Sequence, residues 1–204
     1  GLVARGHQVT VVTAQFADDQ PLEDEHAGVR IVRVPSWFRL SRGRVMPTFP
    51  STVRRLVAEH DIVQVHTPML ETALVGRIAH RAGKKMVMTH HGDLVMPSGL
   101  FNQFVQLTVG KLLDDGAAVA DVITTHSRDY AENSAYLHPY LDKLEAIYPP
   151  AVLPAPDAAV VAAWRQELGL EGKPLVGFAG RFVEEKGFDY LLKAIPFVQE
   201  AFPD

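Results

Sequence analysis

Asp61-Ile62-Val63-Gln64-Val65-His66-Thr67-Pro68 is a short β-branched run that stops at a histidine, a threonine and a proline. The pattern returns at Lys85–Thr89, which runs into His90-His91-Gly92-Asp93, and at Asp121–Thr125, which runs into His126-Ser127. Between these runs, Leu70–Arg81 and Phe101–Gly116 carry apolar residues at helical spacing. Strands alternating with helices predict a parallel sheet joined by crossover helices. Polar groups gathered where an apolar run ends then lie at the carboxyl edge of the sheet, where α/β sheets bind ligands.

Further strands are predicted at Val9–Thr13, Val29–Val34, Leu144–Ile147 and Leu175–Ala179, and a further helix at Thr52–Glu59. Several of the strands are continuous apolar runs, which predicts that both faces of the sheet are covered. Thr67-Pro68 has the composition of a helix start, with Thr as N-cap and Pro in the first turn. Gly1–Arg5 followed by Gly6 has the form of a helix end. At the other terminus a helical pattern of Tyr190, Leu191, Ala194, Ile195, Val198 and Phe202 runs out at Pro203-Asp204. The chain is therefore expected to lack the start of its first domain and the end of its second. Tyr148–Pro156 contains Pro149, Pro150, Pro154 and Pro156, which disfavours helix and central strand alike and marks a linker. The expected organisation is a first domain over 1–147, a linker over 148–156 and the start of a second domain over 157–204, where Asp157 caps a helix that ends at Gly169.

Composition narrows the function. With 47% hydrophobic residues in 204, a packed core is affordable to the chain; a net charge of −4 and a pI near 6.1 give no global attraction for nucleic acid. No cysteine is present, which excludes disulfides and thiolate zinc sites. No apolar run reaches the ~18 residues of a membrane span, and no secretory signal is recognisable. These features are those of a cytoplasmic protein, at most peripheral at the inner face of the membrane. Within the irregular stretch Pro35–Pro50, Arg39, Arg42 and Arg44 lie near Trp37 and Phe38, with Arg30 and Arg33 preceding. That stretch either touches an anionic acceptor or membrane surface, or is a solvated loop with its aromatics tucked beneath it. The second reading suits a short, non-helical cluster better.

Several positions carry candidate chemistry. Leu175–Ala179 followed by Gly180-Arg181, with Lys186-Gly187 opening a helix, would set two cations and free backbone N–H groups at a strand's carboxyl end. That is a phosphate site, unless Arg181 and Lys186 are simply solvated loop charges. His66 either hydrogen-bonds a sugar or phosphate, or braces the next loop. The cluster His90-His91-Gly92-Asp93 is the stronger candidate, since an imidazole can donate or accept near neutral pH and the following glycine lets a ligand approach the backbone. Adjacent histidines on an extended chain point apart, so His90 and His91 argue against a metal centre. Ser127 either lines the cleft or caps the helix Arg128–Tyr136, the cap being the simpler reading. No nucleophile elbow, Walker loop or dinucleotide fingerprint occurs.

Gly180-Arg181-Phe182-Val183-Glu184-Glu185-Lys186-Gly187 resembles the Gly-Arg-(apolar)-x-x-x-Lys-Gly signature that opens the second domain of retaining glycosyltransferases of family four. Thr89-His90-His91-Gly92 resembles the family's Thr-x-His-Gly element, Asp61–Pro68 its third-strand motif, and Asp121–Ser127 its Ala-Asp-x-(apolar)-x-x-x-Ser element. The resemblance implies the GT-B architecture of two Rossmann-type α/β domains, the second incomplete here. It implies that Arg181, Lys186 and Gly180 hold the diphosphate of a nucleotide-sugar donor, and that His91 contacts the donor sugar near the reacting carbon. His66, Gly92 and Ser127 would line the sugar and acceptor cleft, and His90 falls at the variable position. The expected reaction is transfer with retention of configuration, the leaving phosphate helping to take the acceptor's proton, with no metal and no separate cofactor. The acceptor would be a glycan, a lipid-linked group or a small molecule. The family's glycine-rich loop would precede Gly1 and its Glu-x7-Glu element would follow Asp204, so the 204-residue piece is expected not to turn over substrate by itself. Two alternatives share the fold: a nucleotide-sugar 2-epimerase, for which Asp93 is the one cleft carboxylate, and a non-catalytic nucleotide-sugar binding protein.

Overall fold

A computed structural model describes residues 1–40, 43–93, 100–148, 154–183 and 186–202, giving the backbone alone at 40 and 100–108. Arg42, the linker residues 149–153, the acidic pair Glu184-Glu185 and Pro203-Asp204 lie outside the described residues. The chain divides into two compact units, Gly1–Pro150 and Ala151–Asp204.

The first unit is built on parallel strands. β1 (Val9–Ala14) pairs in parallel with β3 (Val29–Val34), and β2 (Glu23–His26) lies antiparallel on the far side of β3. β4 (Phe38–Leu40) and β5 (Gly43–Val45) form a hairpin. β6 (Ile62–Thr67), β7 (Lys85–His90), β8 (Val122–Thr125) and β9 (Leu144–Ala146) form a four-stranded sheet, parallel throughout and in sequence order. Such neighbours need crossovers. They are supplied by α2 (Thr72–Arg81), α3 (Leu100–Val119) and α4 (Arg128–Asn133), while α1 (Phe49–Ala58) leads into β6. This is the α/β, Rossmann-type sheet with covering helices that the alternating pattern predicts.

One core serves both sheets. Val34 of β3, Phe49 and Val53 of α1, Val65 of β6, Met86 and Met88 of β7, Ile123 of β8 and Leu144 of β9 are all buried in a single cluster. Helices α2 and α3 approach closely because each places a glycine against the other: a Cβ on Gly116 would lie 2.8 Å from Thr72 Cβ, and one on Gly76 would lie 2.3 Å from Val119 Cγ1. At the amino edge, Asp121 fastens two strands. Its carboxylate accepts from the buried Met86 N–H at 2.8 Å, from Lys85 Nζ at 2.8 Å and from His80 Nε2 at 2.9 Å, and these bonds hold it well below the usual carboxylate range.

Several elements depart from the expectation, each for a physical reason. The strands are not covered equally on both faces. On β6, Val65 and Thr67 are buried while Ile62, Gln64 and His66 are exposed, so burial there alternates with period two. Thr67-Pro68 starts no helix: the peptide is cis, α2 begins at Thr72, and the Thr67 hydroxyl bonds His90 Nδ1 instead. Pro35–Pro50 is not irregular throughout, since it holds the β4–β5 hairpin and the first two residues of α1. Nor are its aromatics tucked away, because Trp37 is 76% and Phe38 54% exposed. β2 was invisible to hydrophobic patterning because Glu23-Asp24-Glu25-His26 is all polar. It forms because a two-residue turn at Ala27-Gly28, with φ of 51° and 77°, folds it back on β3. Ion pairs Arg30–Glu23 and Arg33–Asp24 then cross between the strands.

In the second unit, α5 (Ala158–Glu167) is capped by Asp157, whose Oδ1 accepts from Ala159 N at 2.9 Å, and Gly169 closes it in the left-handed region at φ 63°. α6 (Phe188–Ala201) follows Gly187. Leu175–Ala179 does not form the predicted strand. A strand needs a partner for its N–H and C=O groups, and among the described residues this unit holds no other extended segment paired with it. Val176 is accordingly 76% exposed.

Gly116→Ala is expected to destabilise the first unit by about 1–2 kcal/mol, overpacking against Thr72 outweighing the gain in helix propensity. The midpoint of urea denaturation measures it.

Candidate functional site

The carboxyl ends of β6, β7 and β8 bring the polar clusters of the sequence into one place. Register sets this: His66 lies opposite Thr89 and Thr67 opposite His90, so the residues that follow β7 fall beside the end of β6. The His91 N–H donates to Thr67 O at 3.2 Å and continues the ladder one residue past the strand.

Two layers result. The outer layer is a row of imidazoles. His66 Nδ1 and His91 Nε2 are 2.8 Å apart, with their rings stacked at 5.1 Å between centroids, and the His126 ring lies 5.3 Å from that of His91. A bond between two imidazole nitrogens requires one N–H and one bare nitrogen, so His66 and His91 share a single proton across the contact. Partial desolvation, then the neighbouring His66 and His126, hold His91 below the ordinary histidine value. Among the described residues, a Cβ on Gly92 would meet nothing within 4 Å. The rings stack rather than converge, and among the described residues no three His, Cys, Asp or Glu side chains are grouped to hold a metal ion.

The inner layer is buried. His90, 1% exposed, bonds Thr67 Oγ1 through Nδ1 at 3.0 Å and Asp93 Oδ1 through Nε2 at 3.0 Å. A carboxylate accepts, so Nε2 carries the proton and Nδ1 accepts from the Thr67 hydroxyl. Burial lowers the His90 value, against the opposing pull of Asp93, and favours the neutral ring. Asp93 also accepts from the Tyr130 hydroxyl at 2.9 Å and from Ser134 Oγ at 2.8 Å, while its own N–H donates to the Tyr130 oxygen at 2.8 Å. Burial, and then the bond to Asp93, push the Tyr130 hydroxyl up to about 12.

Of the residues singled out in the sequence, His66, His91, Gly92 and Ser127 come to this edge. Ser127 is the N-cap of α4, its Oγ accepting from Tyr130 N at 3.1 Å, and the helix it starts ends at Asn133 rather than Tyr136. Gly180, Arg181 and Lys186 belong to the second unit. There Val183 N donates to Arg181 O at 2.9 Å, making a turn at Arg181–Val183, and Lys186 N donates to Val183 O at 3.0 Å ahead of Gly187, the N-cap of α6. Phe178 and Phe182 pack against Phe188, with centroids 5.1 and 4.6 Å apart. Sequence reading passed over His126, which follows β8 as His91 follows β7, and so had a positional signal. It gave His90 only the family's variable position and passed over Tyr130 and Ser134, whose association with His90 and Asp93 depends on the tertiary fold.

Comparison with known proteins places this geometry in a family. Residues 1–150 match the model of the glycosyl transferase 4-like domain. The whole chain is 32% identical to a GDP-mannose-dependent α-(1-6)-phosphatidylinositol monomannoside mannosyltransferase of Mycolicibacterium smegmatis, covering 52% of that protein. It is 31% identical over 96% of its length to the protein of the same name from Mycobacterium tuberculosis, covering 50% of that relative. A glycogen synthase of Alkalilimnicola ehrlichii matches 40% of the chain at 34% identity, over 24% of its own length. The chain thus spans about half the length of the mannosyltransferases it matches. Bearing the strand-end histidines on a parallel α/β sheet and matching the family's model over most of its length, the chain belongs to the glycosyl transferase 4-like family.

Proposed function

We infer that this chain forms the acceptor-side domain, and the start of the donor-side domain, of a retaining glycosyltransferase that moves a sugar from a nucleotide diphosphate donor. The observation that carries the reading is similarity to GDP-mannose-dependent mannosyltransferases that runs through both units. GDP-mannose is therefore the first donor to test, and a lipid-linked glycan the first acceptor class.

In this reading His91 orients the donor sugar and stabilises the reacting centre. His91 is exposed, and its contact with His66 leaves one proton between the two rings, so the pair can donate to or accept from a sugar hydroxyl without a change of net charge. Arg181 and Lys186, both exposed and both ahead of α6, neutralise the diphosphate as charge develops on it. The phosphate leaves on the face that the acceptor attacks and takes the acceptor's proton, so no catalytic carboxylate pair is needed. The epimerase alternative weakens on the same geometry, because Asp93 is engaged by His90, Tyr130 and Ser134.

The acceptor side has a second support. The β4–β5 hairpin presents Trp37 and Phe38 beside Arg39, and Arg44 lies 4.8 Å above the exposed ring of Phe16. Exposed aromatics with arginines suit peripheral contact with an anionic lipid surface. Among the described residues no helix is long and apolar enough to cross a membrane.

The test uses the complete gene product. Transfer of mannose from GDP-mannose should give an α-linked product. Arg181→Ala and Lys186→Ala should each raise the Kd for GDP by about tenfold or more, as expected for the loss of a charge-assisted phosphate contact; unchanged GDP affinity in both would remove the donor-site assignment. Trp37→Ser should reduce co-sedimentation with phosphatidylglycerol vesicles severalfold and leave binding to neutral vesicles unaltered.

A further inference from the structure

We propose that Asp93 is a positioning residue for His91, acting through the buried His90, and that α4 is the bracket that holds it. The inference rests on the proposed donor-site role of His91 and concerns how that side chain is held.

The geometry is specific about direction. His91 follows β7 where the sheet ladder ends, so its backbone would be free to swing without a further anchor; the bond from its N–H to Thr67 O fixes one side of it. The preceding residue fixes the other. His90 is clamped between Thr67 Oγ1, at the end of β6, and Asp93 Oδ1, three residues on. Its carbonyl also accepts from the buried Thr125 hydroxyl of β8 at 3.2 Å. The turn 90–93 is therefore pinned at both ends to one imidazole, and His91 and Gly92 are the two residues between the pins.

Asp93 is itself held by α4. Tyr130 bonds both its carboxylate and its N–H, and Ser134 reaches both carboxylate oxygens, at 2.9 and 2.8 Å. Ser134 Oγ also accepts from Leu137 N at 3.1 Å, and Ser127 caps the start of α4. The carboxylate is 32% exposed yet receives three side-chain donors, which suits a structural anchor better than a group reserved for substrate. The titratable groups facing this cluster are His90 and Asp93 from the β7 end and Tyr130 from α4, with Tyr136 packed on His90 at 4.9 Å between centroids. On the outer side His91 faces His66 from β6 and His126 from the end of β8.

The experiment compares Asp93→Ala, Asp93→Asn and Tyr130→Phe in the complete gene product, with Asp129→Ala on the exposed side of α4 as control. Asp93→Ala should lower kcat for sugar transfer by about ten- to a hundredfold, with a smaller change in donor KM, because the reacting geometry rather than the binding surface is lost. Asp93→Asn keeps an acceptor oxygen and should recover most of the rate. Tyr130→Phe, which removes one support and spares the fold, should shift in the same direction by severalfold. In parallel, imidazole NMR should show loss of the His66–His91 ring contact in Asp93→Ala, and its retention in Asp93→Asn and Asp129→Ala. A folded Asp93→Ala or Tyr130→Phe protein with the His66–His91 contact and kcat intact would overturn the positioning role. A parent protein that transfers no sugar, yet loses the ring contact on Asp93→Ala, would uphold the positioning role and count against the donor-site reading instead.

Discussion

Burial of one imidazole organises the ligand-facing edge of the first unit. His90 gives up almost all contact with water, and an uncompensated polar ring in that position would cost several kilocalories per mole. Both nitrogens are satisfied, one by a threonine at the end of the neighbouring strand and one by a carboxylate in the following turn. Because the carboxylate accepts, the tautomer is determined, and because the ring is buried, its neutral form is favoured. The strand ends, the turn that follows and the start of α4 are tied together through that ring.

From this constraint the rest of the site follows. With the turn pinned, His91 falls on the open side of the sheet beside His66, and His126 completes the row from the next strand. The buried layer is thus scaffold, and His66 and His91 of the outer layer are exposed. The separation arises from β-strand alternation: adjacent residues on an extended chain point to opposite faces, so a His-His pair at a strand end places one ring in the core and the other in the mouth. The same alternation turns the two rings of the pair away from one another rather than towards a shared point.

Much of this was legible beforehand, and the exceptions are instructive. The strands β1, β3, β6, β7 and β8 could be read because each is a β-branched run with clear punctuation, and the caps at Asp157 and Ser127 because a short polar side chain before a helix has few other uses. The resemblance carried by Gly180–Gly187 and the strand-end elements pointed to the right family. What could not be read were features created by tertiary partners. β2 is a strand because β3 offers it an edge and opposite charges, and Leu175–Ala179 is not one because the described residues of its unit offer no partner. His90, at the position the family resemblance leaves variable, has no sequence signature as a buried anchor; its role depends on Thr67, Asp93, Tyr130 and Ser134, which are brought together from three places in the chain.

The ionisation and tautomer of His90 test this account most directly. Long-range nitrogen–proton NMR of the imidazoles, followed as the pH is lowered through the ordinary histidine value of 6.5, should show His90 still neutral and in the Nε2–H form below that value. The linked consequence has a fixed sign: the unfolded chain takes up a proton that native His90 refuses, so stability is full above pH 6.5 and declines as the pH falls below it towards the lowered native value. A His90 that titrates at 6.5 or above, or that carries its proton on Nδ1, would contradict the buried clamp and with it the arrangement of the site.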